Sequence, residues 1–282
     1  MPYHVLIEEA QADFAEYEFI ASLTPSEQKC AFHVRDADGR DLCLKLISPD
    51  YSLDRLNREI RALQDIKHPN VVSFVEYTYS SKPTTLRHYL VEEFIPGSDL
   101  ADALQGPPWD LNRAAAFFAA LADGLDALRQ AQLVHRDLKP QNIRVRPEGV
   151  PVIIDFGLAR HLGLASLTHT AEGAGIGTPL YFAPEQFHGT KRDIDHRTDL
   201  FALGVMLHEA IVGTHPFATS EMTTVAELRE AVCNPAGFSV SPGFEALPAQ
   251  WRLVLRRLTA VERARRINSA AQLATVLRKL PT

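Results

Sequence analysis

The sequence predicts an α+β protein in which a small antiparallel-sheet lobe with one main helix precedes a larger, mainly helical lobe. Short apolar segments separated by turn residues fill the first 95 residues, which is typical of strands. From residue 111 onward the pattern is mostly helical. The change falls at Pro96-Gly97, a natural joint between two units. We therefore expect an N-terminal extension over residues 1–16, a sheet-rich lobe over 17–95 and a helical lobe over 96–282.

Five strands and one helix are predicted in the first lobe. Asp38-Gly39 lies between two apolar segments and indicates a β-hairpin. Apolar residues recur at intervals of three and four over residues 53–66, which predicts the helix. This helix should end before His68-Pro69, because proline disfavours helix in the residue that precedes it. The predicted strands are residues 18–20, 30–34, 42–47, 71–77 and 88–95.

The second lobe begins with an alanine-rich helix predicted over residues 111–132. Two short strands follow, at 143–145 and 152–154, with a turn at Pro147-Glu148-Gly149 between them. Residues 158–185 then show no periodicity, and a loop of that length inside a compact domain is usually functional. A helix over 200–212 is apolar on nearly all sides, so we expect it to be buried.

Composition excludes several classes of protein. The net charge of −6 argues against general attraction to nucleic acid or anionic membranes. Three cysteines without a short spacing predict neither a zinc site nor a disulfide framework, and a reducing compartment fits them best. The N-terminus lacks the pattern of a signal peptide, and no apolar segment reaches the roughly 20 residues that span a bilayer. We expect a cytoplasmic protein without a membrane segment.

The clearest chemical signal is the segment HRDLKPQN, residues 135–142, between a helix and a short strand. It places Asp137 and Asn142 on one tight loop. Thirteen residues later a second short strand delivers Asp155 in the triplet DFG, and the turn between the strands can return Asp155 close to Asn142. An amide and a carboxylate around one hard cation suit magnesium. Asp137 could then orient an incoming hydroxyl or accept its proton, as phosphoryl transfer requires.

In order and spacing, these motifs resemble the signature of eukaryotic-type (Hanks-type) protein kinases. The sequence as a whole is most similar in character to the bacterial serine/threonine members of that family. A lysine-bearing third strand, HRD with its asparagine, DFG and APE all occur, and the resemblance covers residues 17–280. It implies a bilobal kinase fold that uses ATP and Mg²⁺. It also implies that Asp137 is the catalytic base, that Asn142 and Asp155 are metal ligands, and that Lys139 stabilises charge on the transferred phosphoryl group.

Lys45 alternates with apolar neighbours in DLCLKLI, and a lone lysine on a strand usually faces solvent. The resemblance instead implies that Lys45 binds the nucleotide phosphates and pairs with Glu59 on the following helix. Glu59 flanks the apolar stripe of that helix and could face the sheet. The alternative for Glu59 is a weak surface pair with Arg55.

The segment LVEEFI resembles the strand that leads into the kinase hinge. This implies that the backbones of Glu93 and Ile95 bind adenine and that Asp99 reaches the ribose. Glu92 falls where a hydrophobic residue is commoner, and a buried charge there would need a partner or water. Arg144 falls where an apolar residue usually supports adenine, a role that its aliphatic stem could fill.

The phosphate-covering loop departs from the family pattern. The glycines of G-x-G-x-x-G-x-V align with Thr24, Ser26 and Lys29, and the last small aliphatic position aligns with Ala31. Glycine lets backbone amides approach phosphates closely, and Pro25 removes one such amide. Lys29 could compensate in part as a phosphate-facing cation. We therefore expect ATP binding by Lys29 and Ala31 under an atypical clamp, with slow or conditional transfer.

The long loop carries predicted regulatory residues. Thr168 and Thr170 resemble activation-loop threonines, and Arg136 is a cation that could pair with phosphate on them. The alternative is that both are unmodified loop residues. Thr178, in GTPLYFAPE, resembles the residue that contacts the catalytic loop of serine/threonine kinases.

Three further residues are predicted to be structural. Glu185 is expected to pair with Arg266, as the resemblance implies. Asp199, at the start of the apolar helix, could cap that helix, bind the backbone of the HRD segment as in the family, or do both.

The sequence thus predicts an ATP-dependent serine/threonine protein kinase whose partners are protein substrates, with a second copy of the chain as a candidate partner for autophosphorylation in trans. The alternative is a pseudokinase that acts as a nucleotide-binding scaffold, which the missing glycines favour. A small-molecule kinase is disfavoured by the APE segment and the long loop, which serve peptide substrates. No nucleic-acid partner is expected.

Overall fold

The computed structural model describes residues 3–24, 29–48, 63–80, 87–155, 178–188 and 194–281. The chain forms two compact units, Met1–Pro96 and Gly97–Thr282. The division falls between Pro96 and Gly97, one residue after the expected end of the first lobe at residue 95. The predicted α+β class is confirmed, because the first unit holds an antiparallel sheet and the second is mainly helical.

The first unit is built on a five-stranded antiparallel sheet with the order β1-β2-β3-β5-β4. Its strands are β1 (Glu18–Ser22), β2 (Lys29–Arg35), β3 (Asp41–Ile47), β4 (Phe74–Ser80) and β5 (Arg87–Glu93). The predicted hairpin is confirmed. Gly39 takes a φ of +80°, and the Asp36 carboxylate accepts hydrogen bonds from the backbone N–H groups of Asp38 and Arg40. Glycine tolerates that conformation at no steric cost.

The fourth strand begins three residues later than predicted, at Phe74. Val71 and Val72 are buried although they precede the strand, so their apolar character reflects core packing rather than strand pairing. The helix predicted over residues 53–66 falls mainly in the range 49–62, outside the described residues.

The two faces of this sheet differ. Alternate side chains point to opposite faces of a strand. One face forms an apolar core with the N-terminal segment; its strand members are Cys30, Phe32, Val34, Leu42, Leu44, Leu46 and Val91. Lys45 alternates with Leu44 and Leu46 and therefore lies on the other face.

The N-terminal segment closes the apolar face. Helix α1 (Ile7–Asp13) buries Ala10, and Val5 and Phe14 on either side of it join the same core. The N–H of Val5 donates to the Cys30 sulfur at 3.1 Å, and the Cys30 thiol donates to the Tyr3 carbonyl at 2.9 Å. Burial raises the pKa of this thiol. The described part of residues 1–16, expected as an extension, thus packs within the first unit.

The second unit is helical apart from a small sheet with the order β6-β7-β8. Its strands are β6 (Ser98–Asp99), β7 (Ile143–Val145) and β8 (Pro151–Ile153). Its α-helices are α2 (Leu100–Leu104), α3 (Leu111–Gln130), α4 (Pro184–Phe187), α5 (His196–Val212), α6 (Val225–Cys233), α7 (Pro242–Glu245), α8 (Ala249–Leu258) and α9 (Ala270–Leu277). Short 3-10 helices occupy Pro140–Asn142, Thr178–Tyr181 and Arg263–Arg265.

Helix α5 is buried along nearly its whole length, as its apolar pattern predicted. It begins four residues earlier than predicted because Asp195, not Asp199, is its N-cap; the Asp195 side chain accepts a hydrogen bond from the Arg197 N–H. Gly213, with a φ of +80°, ends it in the left-handed conformation. Asp199 therefore lies inside the first turn of α5, where its side chain is available for a tertiary contact.

Within the part of the chain that the structure describes, none of the helices combines the length and the apolar character needed to cross a membrane.

Candidate active site

The loop over residues 135–142 connects helix α3 to strand β7 and is fixed by a buried carboxylate. Asp199 Oδ2 accepts a hydrogen bond from the His135 N–H at 2.8 Å, and Asp199 Oδ1 accepts one from the Arg136 N–H at 2.9 Å. The Asp199 residue is 4% exposed, and this burial raises its pKa, which the two N–H donors partly offset. Of the two roles predicted for Asp199, the backbone anchor is confirmed and the helix cap is wrong.

Arg136 adopts a φ of +65°, which is unusual for a residue with a side chain. Its backbone is held on both sides, because its N–H donates to Asp199 and its carbonyl accepts a hydrogen bond from Gln186 Nε2 at 2.8 Å. A strained conformation persists only where its surroundings determine it in this way. The turn aims the residues that follow, beginning with Asp137.

The Asp137 carboxylate has two neighbours on its own loop. Lys139 Nζ lies 3.2 Å from Asp137 Oδ2. Asn142 Nδ2 donates to the Asp137 carbonyl at 2.7 Å and approaches Asp137 Oδ2 at 3.3 Å. The side chains of Asp137 and Lys139 are about one fifth exposed, at 18% and 22%. The structure thus brings a cation and an amide to a carboxylate that remains open to solvent on one side.

Asp155 is delivered beside Asn142 by the β7-β8 hairpin. The Ile154 N–H donates to the Asn142 carbonyl at 2.9 Å, and the Ile154 carbonyl lies 3.0 Å from His135 Nε2. Asp155 itself has a φ of +55°, so the chain turns sharply at this residue. The predicted return of this aspartate to the neighbourhood of Asn142 is therefore borne out by backbone contacts.

The donor set at this position fits a hard divalent cation. Asn142 Nδ2 is engaged with Asp137, so its amide oxygen is the atom that would coordinate, together with the Asp155 carboxylate. Oxygen ligands of this kind suit magnesium, which usually keeps waters and substrate phosphates for its other positions. Among the described residues, no group of three or more His, Cys, Asp or Glu side chains is placed to hold a metal ion.

A buried ion pair ties the C-terminal part of the second unit to the segment after the long loop. Arg266 Nη1 and Nη2 donate to the two oxygens of Glu185 at 2.7 and 2.8 Å, and Thr198 Oγ1 donates to Glu185 Oε1 at 2.8 Å. The remaining Arg266 donors reach backbone carbonyls, those of Ala260, Val261 and Arg197. Because every charged atom has partners, the pair can be buried without an uncompensated charge. The predicted Glu185–Arg266 pair is confirmed.

In the first unit, the structure places Lys45 next to Ala31, a predicted nucleotide-binding residue, and next to Glu92. Ala31 on β2 lies directly opposite Lys45. Lys45 Nζ donates to Glu92 Oε2 on β5, and both residues are buried. The charge at position 92, anomalous in the sequence, therefore has a cationic partner.

The residues expected to hold adenine and ribose are also engaged. The Glu93 N–H donates to the Ser73 carbonyl at 2.9 Å. Ile95 is buried. Asp99 lies opposite Arg144 in the β6-β7 pairing and accepts a hydrogen bond from Arg144 Nη1 at 2.7 Å. Arg144 Nη2 also donates to the Gly97 carbonyl, so Arg144 contributes its charge here and not only its aliphatic stem.

Several predicted residues lie outside the described part of the chain. These are Glu59, the loop position Ser26, and the threonines Thr168 and Thr170. Thr178 begins a 3-10 helix, but its side chain is likewise outside the description. Of the two remaining glycine-replacing residues, Thr24 is exposed and Lys29 begins β2.

Sequence reasoning missed three contacts: Glu92 with Lys45, Arg144 with Asp99, and Gln186 with the Arg136 carbonyl. The strand register would have indicated the first two, because it places Arg144 opposite Asp99, and Glu92 two pairs away from Lys45 on the same face. For Gln186, one residue after APE, no local signal points to a backbone 50 residues away.

Comparison with known proteins agrees with this geometry. The family model described as the protein kinase domain matches residues 29–276. The chain is 28% identical over 249 residues to a probable serine/threonine-protein kinase PknB of Bifidobacterium longum, which covers 84% of this chain and 35% of that protein. It is 29% identical over 242 residues to PknB of Mycobacterium tuberculosis, covering 83% of this chain and 38% of that protein.

A third relative, PknA of Corynebacterium glutamicum, is 32% identical over 198 residues, which is 66% of this chain and 40% of that protein. The chain therefore spans well under half the length of these curated relatives. The family match itself covers most of the chain and contains each of the motif residues placed above. The chain belongs to the protein kinase family.

Proposed function

We propose that this chain is an ATP-dependent serine/threonine protein kinase, which transfers the γ-phosphoryl group of ATP to a serine or threonine hydroxyl of a protein substrate. The observation that carries the proposal is the arrangement around Asp137. Its carboxylate lies 3.2 Å from the Lys139 ammonium and 3.3 Å from the Asn142 amide nitrogen, on a loop that Asp199 fixes by its backbone. Relatives named as serine/threonine-protein kinases support the same class.

Phosphoryl transfer requires little covalent chemistry from the protein. Asp137 would orient the substrate hydroxyl and accept its proton as the new O–P bond forms and the bond between the γ-phosphorus and ADP breaks. Lys139, beside this carboxylate, would stabilise the negative charge that develops on the transferred group. Asn142 and Asp155 would hold magnesium, which when bound supplies positive charge against the triphosphate.

Roles toward the nucleotide are proposed for the predicted residues of each unit by itself. Lys45 is the proposed cation for the phosphates, and Glu59 remains its proposed partner on the following helix. The backbones of Glu93 and Ile95 are proposed for adenine, and Asp99 for the ribose. Lys29 and Ala31 are proposed neighbours of the phosphates and adenine, in a clamp without glycine.

The direct test is transfer of radiolabelled phosphate from ATP, with magnesium, to a generic basic protein. We expect label with the unmodified chain and a loss of at least about a hundredfold in Asp137→Asn and Asp155→Ala. Glu148→Gln, on the exposed turn between β7 and β8, is the matched control and should keep its activity. Label that persists in both aspartate variants would show that the transfer does not come from this site.

A catalytically weak nucleotide-binding scaffold is the second candidate, because Thr24, Ser26 and Lys29 replace the glycines of the phosphate loop. This candidate predicts no label with any variant, while ATP with magnesium still raises the melting temperature of the chain.

Regulation by phosphorylation of the long loop is also proposed. Thr168 and Thr170 are the expected acceptors, with Arg136 as the cation for the phosphate. After incubation with ATP, intact mass should show added phosphates in the unmodified chain and not in a Thr168→Ala, Thr170→Ala double variant. Dependence of the phosphorylation rate on protein concentration would identify transfer between two copies. Phosphates that appear only outside this loop would contradict the proposal.

A further inference from the structure

Lys45 and Glu92 face each other within a single sheet. In the antiparallel pairing of β3 with β5, Cys43 lies opposite Glu92 and Lys45 lies opposite Leu90. Lys45 and Glu92 are therefore diagonal neighbours on the same face, a separation that long side chains can bridge. The Lys45 ammonium donates to Glu92 Oε2 across it.

Both members of this pair are removed from water. The Lys45 side chain is 6% exposed and the Glu92 side chain 4%. An ammonium in such surroundings favours the neutral amine, whereas a carboxylate within hydrogen-bond distance favours the charged form. Removal of Glu92 would take from the buried Lys45 ammonium a carboxylate to which it donates. Glu92 thus contributes to both the charge and the direction of the Lys45 side chain.

We propose that Glu92 is a positioning residue for the nucleotide-binding lysine: it holds the Lys45 ammonium, protonated and oriented, on the face of the sheet where the triphosphate is received. The proposal rests on the proposed function only for the role of Lys45 toward phosphate. An ammonium has three donors, so a bond to Glu92 leaves further donors for other partners. Because β3 and β5 are adjacent, this contact is set by the register of the sheet itself.

The alternative effect of Glu92 would be competition, in which its carboxylate occupies Lys45 and repels the triphosphate. The two effects have opposite signs. If Glu92 positions Lys45, loss of its charge weakens ATP binding; if it competes, loss of its charge strengthens ATP binding.

The first experiment compares Glu92→Gln, which keeps the shape and removes the charge, with Glu18→Gln on the exposed edge strand of the same sheet. For Glu92→Gln we expect KM for ATP to rise about tenfold while kcat changes less than about threefold, because a ground-state phosphate contact is weakened. Glu18→Gln should match the unmodified chain. An unchanged or lower KM for ATP in Glu92→Gln would overturn the proposal.

The second experiment does not depend on catalysis. Acylation of Lys45 by a small amine-reactive ester at pH 8, followed by peptide mass spectrometry, measures how much of the lysine is free amine. Glu92→Gln should accelerate acylation of Lys45 by about tenfold, since it removes a negative charge that favours the ammonium over the free amine. Acylation of Lys279, in the second unit, should be unchanged, and an equal Lys45 rate in both proteins would refute the proposal.

These experiments distinguish a failure of the proposed function from a failure of the proposed role of Glu92. If the unmodified chain transfers no phosphate, the proposed function fails, and the affinity for ATP by calorimetry replaces KM with the same expected direction. If Glu92→Gln does not fold, the double variant Lys45→Met, Glu92→Met replaces the pair by apolar side chains of similar length. It should melt at a higher temperature than either single variant; a double variant no more stable than Glu92→Met would overturn the pairing.

Discussion

The two units hold their charged residues in different ways. In the second unit the ties are long-range: Asp199 on α5 binds the backbone of a loop more than 60 residues earlier, and Arg266 binds Glu185 81 residues away. In the first unit the Lys45–Glu92 pair is formed between adjacent strands by sheet register. The difference teaches that the loop over residues 135–142 is held by distant segments of the second unit, whereas the Lys45–Glu92 contact is set by the register of adjacent strands.

The two kinds of tie should also fail differently. Loss of a long-range tie removes a link between distant segments, so it should lower the stability of the second unit and activity together. Loss of the local pair should change nucleotide binding before it changes stability. Both tryptophans of the chain, Trp109 and Trp251, are buried in the second unit, so tryptophan fluorescence reports unfolding of that unit.

The largest effect is expected from Arg266→Met. This change leaves the buried Glu185 carboxylate without its two charged donors, and breaking a buried pair in this way costs about 3–5 kcal/mol. Urea denaturation followed by tryptophan fluorescence measures the loss. Arg265→Met is the control, because the Arg265 side chain is 74% exposed. Its pair with Glu262 should contribute less than about 1 kcal/mol to stability. Equal losses of stability in both variants would show that the Glu185–Arg266 pair contributes no more than an exposed ion pair.

The next largest effect concerns pH and Glu209, a partly buried acid on helix α5. Burial raises the pKa of Glu209 from 4.5 to about 7, and its carboxylate accepts a hydrogen bond from the Tyr181 hydroxyl at 2.9 Å. The folded carboxyl therefore keeps a proton that the unfolded chain releases near pH 4.5. This contribution to stability is complete below pH 4.5 and is lost as the pH rises to about 7.

Glu209→Gln should remove that loss, because glutamine does not ionise and still offers an oxygen to Tyr181. Relative to the unmodified chain, it should be about 2–3 kcal/mol more stable at pH 8 and nearly equal at pH 4.5. His215, whose pKa burial lowers to about 4, lies near Tyr181 in both proteins and should cancel in the difference. Urea denaturation at the two pH values checks this, with the exposed Glu245→Gln as control. A stability gain that is the same at both values would contradict a titrating Glu209.

A smaller loss of stability is expected from Asp199→Asn. One carboxylate oxygen becomes an NH₂ group, so either the His135 or the Arg136 N–H loses its acceptor, at a cost of about 1–3 kcal/mol. Phosphoryl transfer should fall by at least about tenfold as well, because these bonds hold the strained turn before Asp137. The exposed Asp102→Asn should change neither quantity. Full activity in Asp199→Asn would mean that the loop keeps its shape without this anchor.

Much of this architecture could be predicted from the sequence. The hairpin at Gly39 has an unambiguous turn signal, and the residues of the second unit that bind one another lie within recognisable motifs. Their partners could be predicted because the kinase resemblance implies a specific partner for a motif residue. The pair of Glu185 with Arg266 is an example. The start of α5 could not, since both Asp195 and Asp199 are acceptable caps and only packing decides between them.

The contacts that escaped prediction depend on register or on distant packing. Glu92 reads as an anomaly along an apolar strand, and only the alignment of β3 with β5 supplies its partner. The packing of Val5 and Phe14 against the sheet escaped for a related reason: the N-terminal segment is short, and the face that it covers is revealed only when the strands are assembled. Sequence patterns specify which face of an element is apolar, but not which segment covers it.

The smallest expected effect is at Asp99, whose contact with Arg144 is set by strand register. This contact lies in the second unit, where the other contacts compared above are long-range. Arg144→Leu would release the Asp99 carboxylate from the guanidinium that now binds it at 2.7 Å and would place an apolar side chain where the family supports adenine. Since this pair is partly exposed, the gain should be modest, and we expect ATP to bind about three- to fivefold more tightly by calorimetry. Asp99→Asn should weaken binding, and the exposed Arg257→Leu should not change it. Weaker binding in Arg144→Leu would mean that the Arg144–Asp99 pair itself forms part of the ribose site, so that this register contact of the second unit positions the carboxylate instead of withholding it.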